Sequence, residues 1–139
     1  MSTSPNRMVG IIFGTIYLVI GIFGFFITSA TGFTSTQGPL LIGLFELNNL
    51  HNLVHLVIGV VLLIAGLADA RVAKVANTGI GAVFLVIAIV GLFVAGGNNP
   101  VNILALNAAD VVLYFASAVI LLAIGLGAER VVRAPKAAA

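Results

Sequence analysis

Four long apolar runs, separated by short polar interruptions, dominate this chain, at about residues 8–30, 49–68, 75–95 and 108–128. Each run has roughly 20 residues, enough for an α-helix to cross a hydrocarbon layer of about 30 Å. Only two histidines and one aspartate, His51, His55 and Asp110, bring ionisable groups into them. The pattern predicts an all-α membrane protein, a four-transmembrane-helix bundle forming a single domain over residues 1–139. Arg7 before the first run and Thr28-Ser29-Ala30 near its end loosely resemble a secretory signal. The run is longer than the 7–15 apolar residues of such a signal, so it is expected to remain as a span. The tail Met1–Asn6 is expected to stay outside it, and the basic, Ala/Pro-rich tail after Glu129 to fray. Two connecting stretches, Pro39–Phe45 and Pro100–Leu106, are too apolar for free loops. They are predicted to be short helical turns in the outer interface, leading into the second and fourth spans, with Asn98-Asn99-Pro100 marking a turn.

Composition reinforces this reading. Hydrophobic residues make up 61% of the chain and charged residues 7%, against about 25% charged in a soluble domain. A soluble fold of this size could not bury that much apolar surface, so the lipid bilayer is the expected solvent. There is no cysteine, which removes disulfides, thiolate metal sites and thiol nucleophiles. The net charge is only +2, and the cations sit at segment ends, so nucleic acid is not an expected partner. Arg7, Arg71, Lys74, Arg130, Arg133 and Lys136 all fall in the termini or the middle connection, while the other two connections hold no Lys or Arg. The excess of basic residues on one side predicts both termini and the middle connection in the cytoplasm. Asp69 with Arg71, and Glu129 with Arg130, read as solvated anchors of helix ends on that side.

The chain also resembles itself. An offset of 67 residues lays Tyr17–Phe26 on Phe84–Phe93, and an offset of 59 lays Leu47-Asn48 on Leu106-Asn107, His51 on Asp110, His55 on Tyr114 and Gly66 on Gly125. Two parallel two-helix repeats, about residues 8–70 and 75–130, are therefore expected, related by an axis along the membrane normal.

In lipid, helices associate through close backbone approach and polar contacts. At 100° per residue, Gly10, Gly14, Tyr17, Gly21, Gly24 and Thr28 share one stripe of the first span, and Asn77, Gly81, Ala88 and Ala95 one stripe of the third. These stripes are expected to be helix–helix seams. On the second span Asn48, His51, Asn52 and His55 occupy one arc that Gly59 and Gly66 continue, and on the fourth Asn107, Asp110, Tyr114 and Ser117 occupy the matching arc. Ionisable groups inside spans usually face the bundle interior and find partners. One reading is structural: Asn48 and Asn107 cap their helices while His51, His55, Asp110 and Tyr114 hydrogen-bond across the repeats. Another is a site in which His51 and His55, four residues apart, share a metal with Asp110 or Glu46. A haem with one axial histidine belongs to the same class, though no attachment motif supports it. A proton or ion path is a third, but no ionisable group lies between His55 and Asp69 on the second span. No Walker loop, dinucleotide fingerprint, serine elbow or paired carboxylate is present, so no catalytic residue is assigned.

The run Leu47-Asn48-Asn-Leu-His51-Asn-Leu-Val-His55-Leu-Val-Ile-Gly59, in a four-span chain of this length, resembles a bacterial membrane family catalogued as domain of unknown function 4383. The likeness extends from about Asn6 to Arg130, and its most specific part is the Asn/His segment. It implies a four-helix fold in a bacterial inner membrane and carries no catalytic role. The expected function is thus non-enzymatic: an accessory subunit or scaffold working with other membrane subunits or with itself, and without a cofactor. Small-ligand, metal or haem binding at His51/His55 is the alternative, and a small transporter or channel the third.

Overall fold

The computed structural model describes residues 4–128. Four helices, each long and apolar enough to cross a membrane, make up most of it, so the protein is a multi-pass membrane protein. Helix α1 spans Pro5–Ile27, α2 Asn49–Ala68, α3 Ala70–Val94 and α4 Ala108–Ala123, the last continuing as a π-helix over Ile124–Ala128. The residues from Glu129 onward, including Arg130, Arg133 and Lys136, lie outside the described part.

Local chemistry sets each helix start. Ser4 accepts a hydrogen bond from the Arg7 N–H, and Pro5 occupies the first turn, where a missing N–H is harmless and the fixed φ already helical. Helix α1 therefore begins before the apolar run and takes in Pro5 and Asn6, which the hydropathy pattern assigns to the tail. Helix α3 likewise starts five residues ahead of the expected Val75. Asp69 is the single residue between α2 and α3, and its carboxylate accepts from the Arg71 and Val72 N–H groups, so the expected middle loop is a one-residue corner. The Val72 N–H, then burial working the other way, then the Arg71 N–H and the charges of Arg71 and Arg7 leave this carboxyl below its ordinary value.

The stretch before α2 departs from expectation. In place of a helical turn it forms a two-strand antiparallel hairpin, β1 Leu40–Leu41 against β2 Phe45–Glu46. Ile42 and Gly43 both have positive φ, 48° and 74°, the geometry of a type I′ turn closed by the Leu44 N–H on the Leu41 carbonyl at 3.0 Å. The stretch before α4 is a pair of successive non-helical turns braced by Asn102, which donates to the Leu106 carbonyl and accepts from the Leu106 N–H.

Helix α1 lies along α2 and α3 along α4. The α1–α2 seam is glycine against backbone. A Cβ on Gly14 would stand 2.8 Å from the Leu63 Cα, and one on Gly59 2.7 Å from the Leu18 Cα. Gly10, Gly14, Gly21 and Gly24 all face this seam. On α3, Gly81 meets Leu121 and Leu122 of α4, and Ala88 is buried in the core with Tyr17, Phe84, Tyr114, Leu62 and Leu121. Outward-facing residues are large and aliphatic or aromatic, such as Phe26, Ile64, Phe93 and Val112. Polar and small residues are buried alongside large ones such as Tyr17 and Phe84, while the outer face is almost wholly apolar, which matches lipid as the surrounding medium.

Candidate functional site

Two turns at the start of α2 place the histidines. Asn48 caps the helix, its side-chain oxygen accepting from the His51 N–H at 2.8 Å. Its amide donates to the Ser35 carbonyl at 2.8 Å and to the Ile103 carbonyl at 2.7 Å. One asparagine thus fixes the helix start to both outer connections. His51 and His55 follow one turn apart, about 6 Å along the axis, with ring centroids 4.4 Å apart. Both imidazoles point their Nε2 atoms at the hydroxyl of Tyr114 on α4, His51 in a direct hydrogen bond and His55 at 2.6 Å. All three side chains are at most 1% exposed.

The donors and acceptors of this knot can be counted. The Tyr114 hydroxyl has one proton and faces two imidazole nitrogens, so it can donate to only one of them. The other must carry its own Nε2–H and donate to the tyrosine oxygen. The two histidines are therefore inequivalent at any instant. Beneath them a second pair repeats the motif more simply: the Tyr17 hydroxyl on α1 meets the Ser117 hydroxyl on α4 at 2.7 Å. Tyr17 also packs its ring on His55 at 5.1 Å and on Phe84 at 4.8 Å, and Phe84 stacks on Tyr114 at 4.9 Å. Hydrogen bonds and ring contacts together join α1, α2, α3 and α4 at this level.

The other residues of the two arcs have separate tasks. Asp110 and Asn107 form a capping box at the start of α4: the Asn107 side chain accepts from the Asp110 N–H, and the Asp110 carboxylate from the Asn107 N–H. Asn107 remains half-buried and donates to the Leu44 carbonyl of the hairpin at 2.7 Å. Asn52 instead reaches Thr28, the residue that caps the end of α1, donating to its hydroxyl at 2.8 Å. Glu46 accepts from the Gly38 N–H, and its main chain lies beside His51 and Asp110. His51, His55, Asp110 and Glu46 are thus not gathered around one point. Among the described residues no three His, Asp or Glu side chains are placed to hold a metal ion together. His51 Nδ1, His55 Nδ1 and Asp110 Oδ1 make no close hydrogen bond, but the main chains of Glu46 and Leu104 attract His51 and that of Glu46 attracts Asp110, which leaves His55 Nδ1 as the buried atom with no polar neighbour of this kind.

A polar tie joins the helices at the opposite end, beyond what the apolar pattern predicts. Asn77 of α3 donates to both the carbonyl and the side-chain oxygen of Asn6 at 2.9 and 3.0 Å, and Asn6 donates to the Ile124 carbonyl where α4 becomes a π-helix. Helical spacing places Asn77 on its seam but not Asn6, whose only signal is the Ser-Pro start just ahead of it.

A protein-family model described as Domain of unknown function (DUF4383) matches residues 7–127. No curated protein and no solved structure matches the chain.

Proposed function

The chain belongs to the DUF4383 family, and we propose that it acts without catalysing a reaction, as a small accessory subunit or scaffold of a bacterial inner-membrane assembly or as part of a homo-oligomer. In this reading both termini are cytoplasmic and the histidine end faces outward. The Asn48 and Asn107 caps, 59 residues apart with the same backbone geometry, are read as traces of a duplicated two-helix unit. One observation carries the functional reading. His51, His55 and Tyr114 direct their polar atoms at one another in a place closed to solvent, which suits a fastener between helices better than a site for a substrate. The surface left for interaction is the lipid-facing one.

The test is extraction of the full chain in mild detergent, followed by sizing and identification of whatever migrates with it. Co-migration with other membrane proteins, or a defined homo-oligomer, is expected. A monodisperse, partnerless protein with catalytic activity would overturn the proposal.

A second reading rests on His55 Nδ1, a buried nitrogen with no protein hydrogen bond. Buried polar atoms without partners are uncommon, and a small polar ligand or a metal ion would supply one. Because both Nε2 atoms face Tyr114, a metal would have to bind through Nδ1 or displace the tyrosine. Metal analysis of the wild type against His51→Ala and His55→Ala decides: equal, negligible content in all three removes this reading.

A further inference from the structure

Two grooves run along the flanks of α3 at the end of the bundle opposite the histidines. One, of about 600 Å³, lies between α3 and the π-helical end of α4 and includes Lys74, Thr78, Gly79 and Leu126 in its lining. The other, of about 590 Å³, lies between α3 and α2 and includes Val60, Ile64, Val72 and Ala76. Arg71 and Val75 line both grooves, so they form the ridge between them, with the guanidinium at the helix start. Among the described residues no acidic side chain lines either groove.

The charges nearby are unequally committed. Arg7 donates to the Gly66 and Leu67 carbonyls at 2.9 and 3.1 Å. The Asp69 carboxylate accepts from the first N–H groups of α3, so those amides are already satisfied. Arg71 has only the electrostatic attraction of Asp69, and neither it nor Lys74 has a side-chain hydrogen bond to the described residues. Two cations at a membrane boundary therefore stand above two greasy channels that diverge from one ridge. From Arg71 to Gly79 the channel wall extends about 12 Å along the helix axis.

We propose that this is a binding site for one anionic diacyl phospholipid, its phosphate on Arg71 and Lys74 and one acyl chain in each groove. A single-chain anion would leave one groove unused, and a zwitterionic headgroup would leave the cations without a net counter-charge. Basic residues beside membrane spans attract anionic lipid in this way; here the paired grooves add shape to charge. The assignment is independent of the role of the histidine cluster.

The test is native mass spectrometry of the full chain in detergent, titrated with phosphatidylglycerol or phosphatidylcholine of matched chains, with inorganic phosphate as the soluble-anion control. Wild type is expected to retain one phosphatidylglycerol in clear preference to phosphatidylcholine, with phosphate at millimolar concentration failing to displace it. Arg71→Gln with Lys74→Gln is expected to weaken phosphatidylglycerol about thirtyfold while leaving phosphatidylcholine unchanged. Gly79→Leu fills one groove without a change of charge, since a Cβ there meets no atom within 4 Å, and should weaken phosphatidylglycerol at least severalfold. Equal retention of the two lipids, displacement by free phosphate, an unaffected Gly79→Leu variant, or a protein rather than a lipid held at these grooves would each overturn the assignment.

Discussion

Replacing Tyr114 by phenylalanine removes one oxygen and leaves the ring in place against Phe84. The structure assigns that oxygen two interhelical hydrogen bonds, to His51 and His55, and both imidazoles would keep a buried Nε2 without a partner. Interhelical hydrogen bonds in membrane proteins average about 0.6 kcal/mol and reach about 1.7, so two of them set a loss of about 1–3 kcal/mol. Tyr17→Phe provides the internal standard, because its hydroxyl has a single interhelical partner, Ser117. The same arithmetic gives it about half the loss. Both variants can be followed by reversible unfolding in mixed micelles, with helicity as the readout. A Tyr114→Phe loss below that of Tyr17→Phe, or within about 0.5 kcal/mol of wild type, refutes the idea that the hydroxyl fastens α2 to α4.

The remaining expectations concern backbone and caps. Gly14→Val is expected to force α1 and α2 apart, because even a Cβ there lies 2.8 Å from the Leu63 Cα; cysteine pairs placed across the seam should stop crosslinking, and unchanged crosslinking would contradict the packing. Gly79→Ala meets open space and should stabilise the fold by up to about 1 kcal/mol through helix propensity alone, read from the unfolding midpoint. Ile42→Asn places the residue that a type I′ turn favours where a β-branched one now sits at φ 48°, and should raise the melting temperature. Asp69 has a folded-state value below the ordinary 3.8, so its contribution is present above that pH and fades as pH falls through the lower folded value. Asp69→Asn, which can still cap, should flatten that acid limb when melting temperature is followed against pH.

The four helices were legible because hydropathy reports directly on the solvent a helix prefers, and runs of 20 apolar residues have few other uses. The seams were legible for the same kind of reason: Gly10, Gly14, Gly21 and Gly24 repeat on one face, and only close approach explains so many glycines there. The hairpin was not. Its turn is Ile42-Gly43 rather than Asn-Gly, and Leu40-Leu41 carries no polar alternation, so the apolar stretch looked helical. The early starts of α1 and α3 were concealed because polar residues, Asn6, Arg71 and Lys74, lie inside helices whose ends reach the boundary. Within the cluster, helical spacing put His51 and His55 on one face and Asp110 and Tyr114 on another. It could not say that Tyr114 would take both histidines while Asp110 turned back to cap its own helix, since that depends on how α2 and α4 are rotated about their axes.

Whether the histidine end is a closed fastener or an open site turns on whether water reaches it. The protein has only two histidines, so diethyl pyrocarbonate, a water-soluble reagent that modifies imidazole, reads their exposure in a mass spectrum. In bilayers the folded protein should gain no histidine adduct while the denatured chain gains two. Rapid modification of His51 or His55 in the folded protein would contradict the account, because it would mean that the knot with Tyr114 opens to solvent.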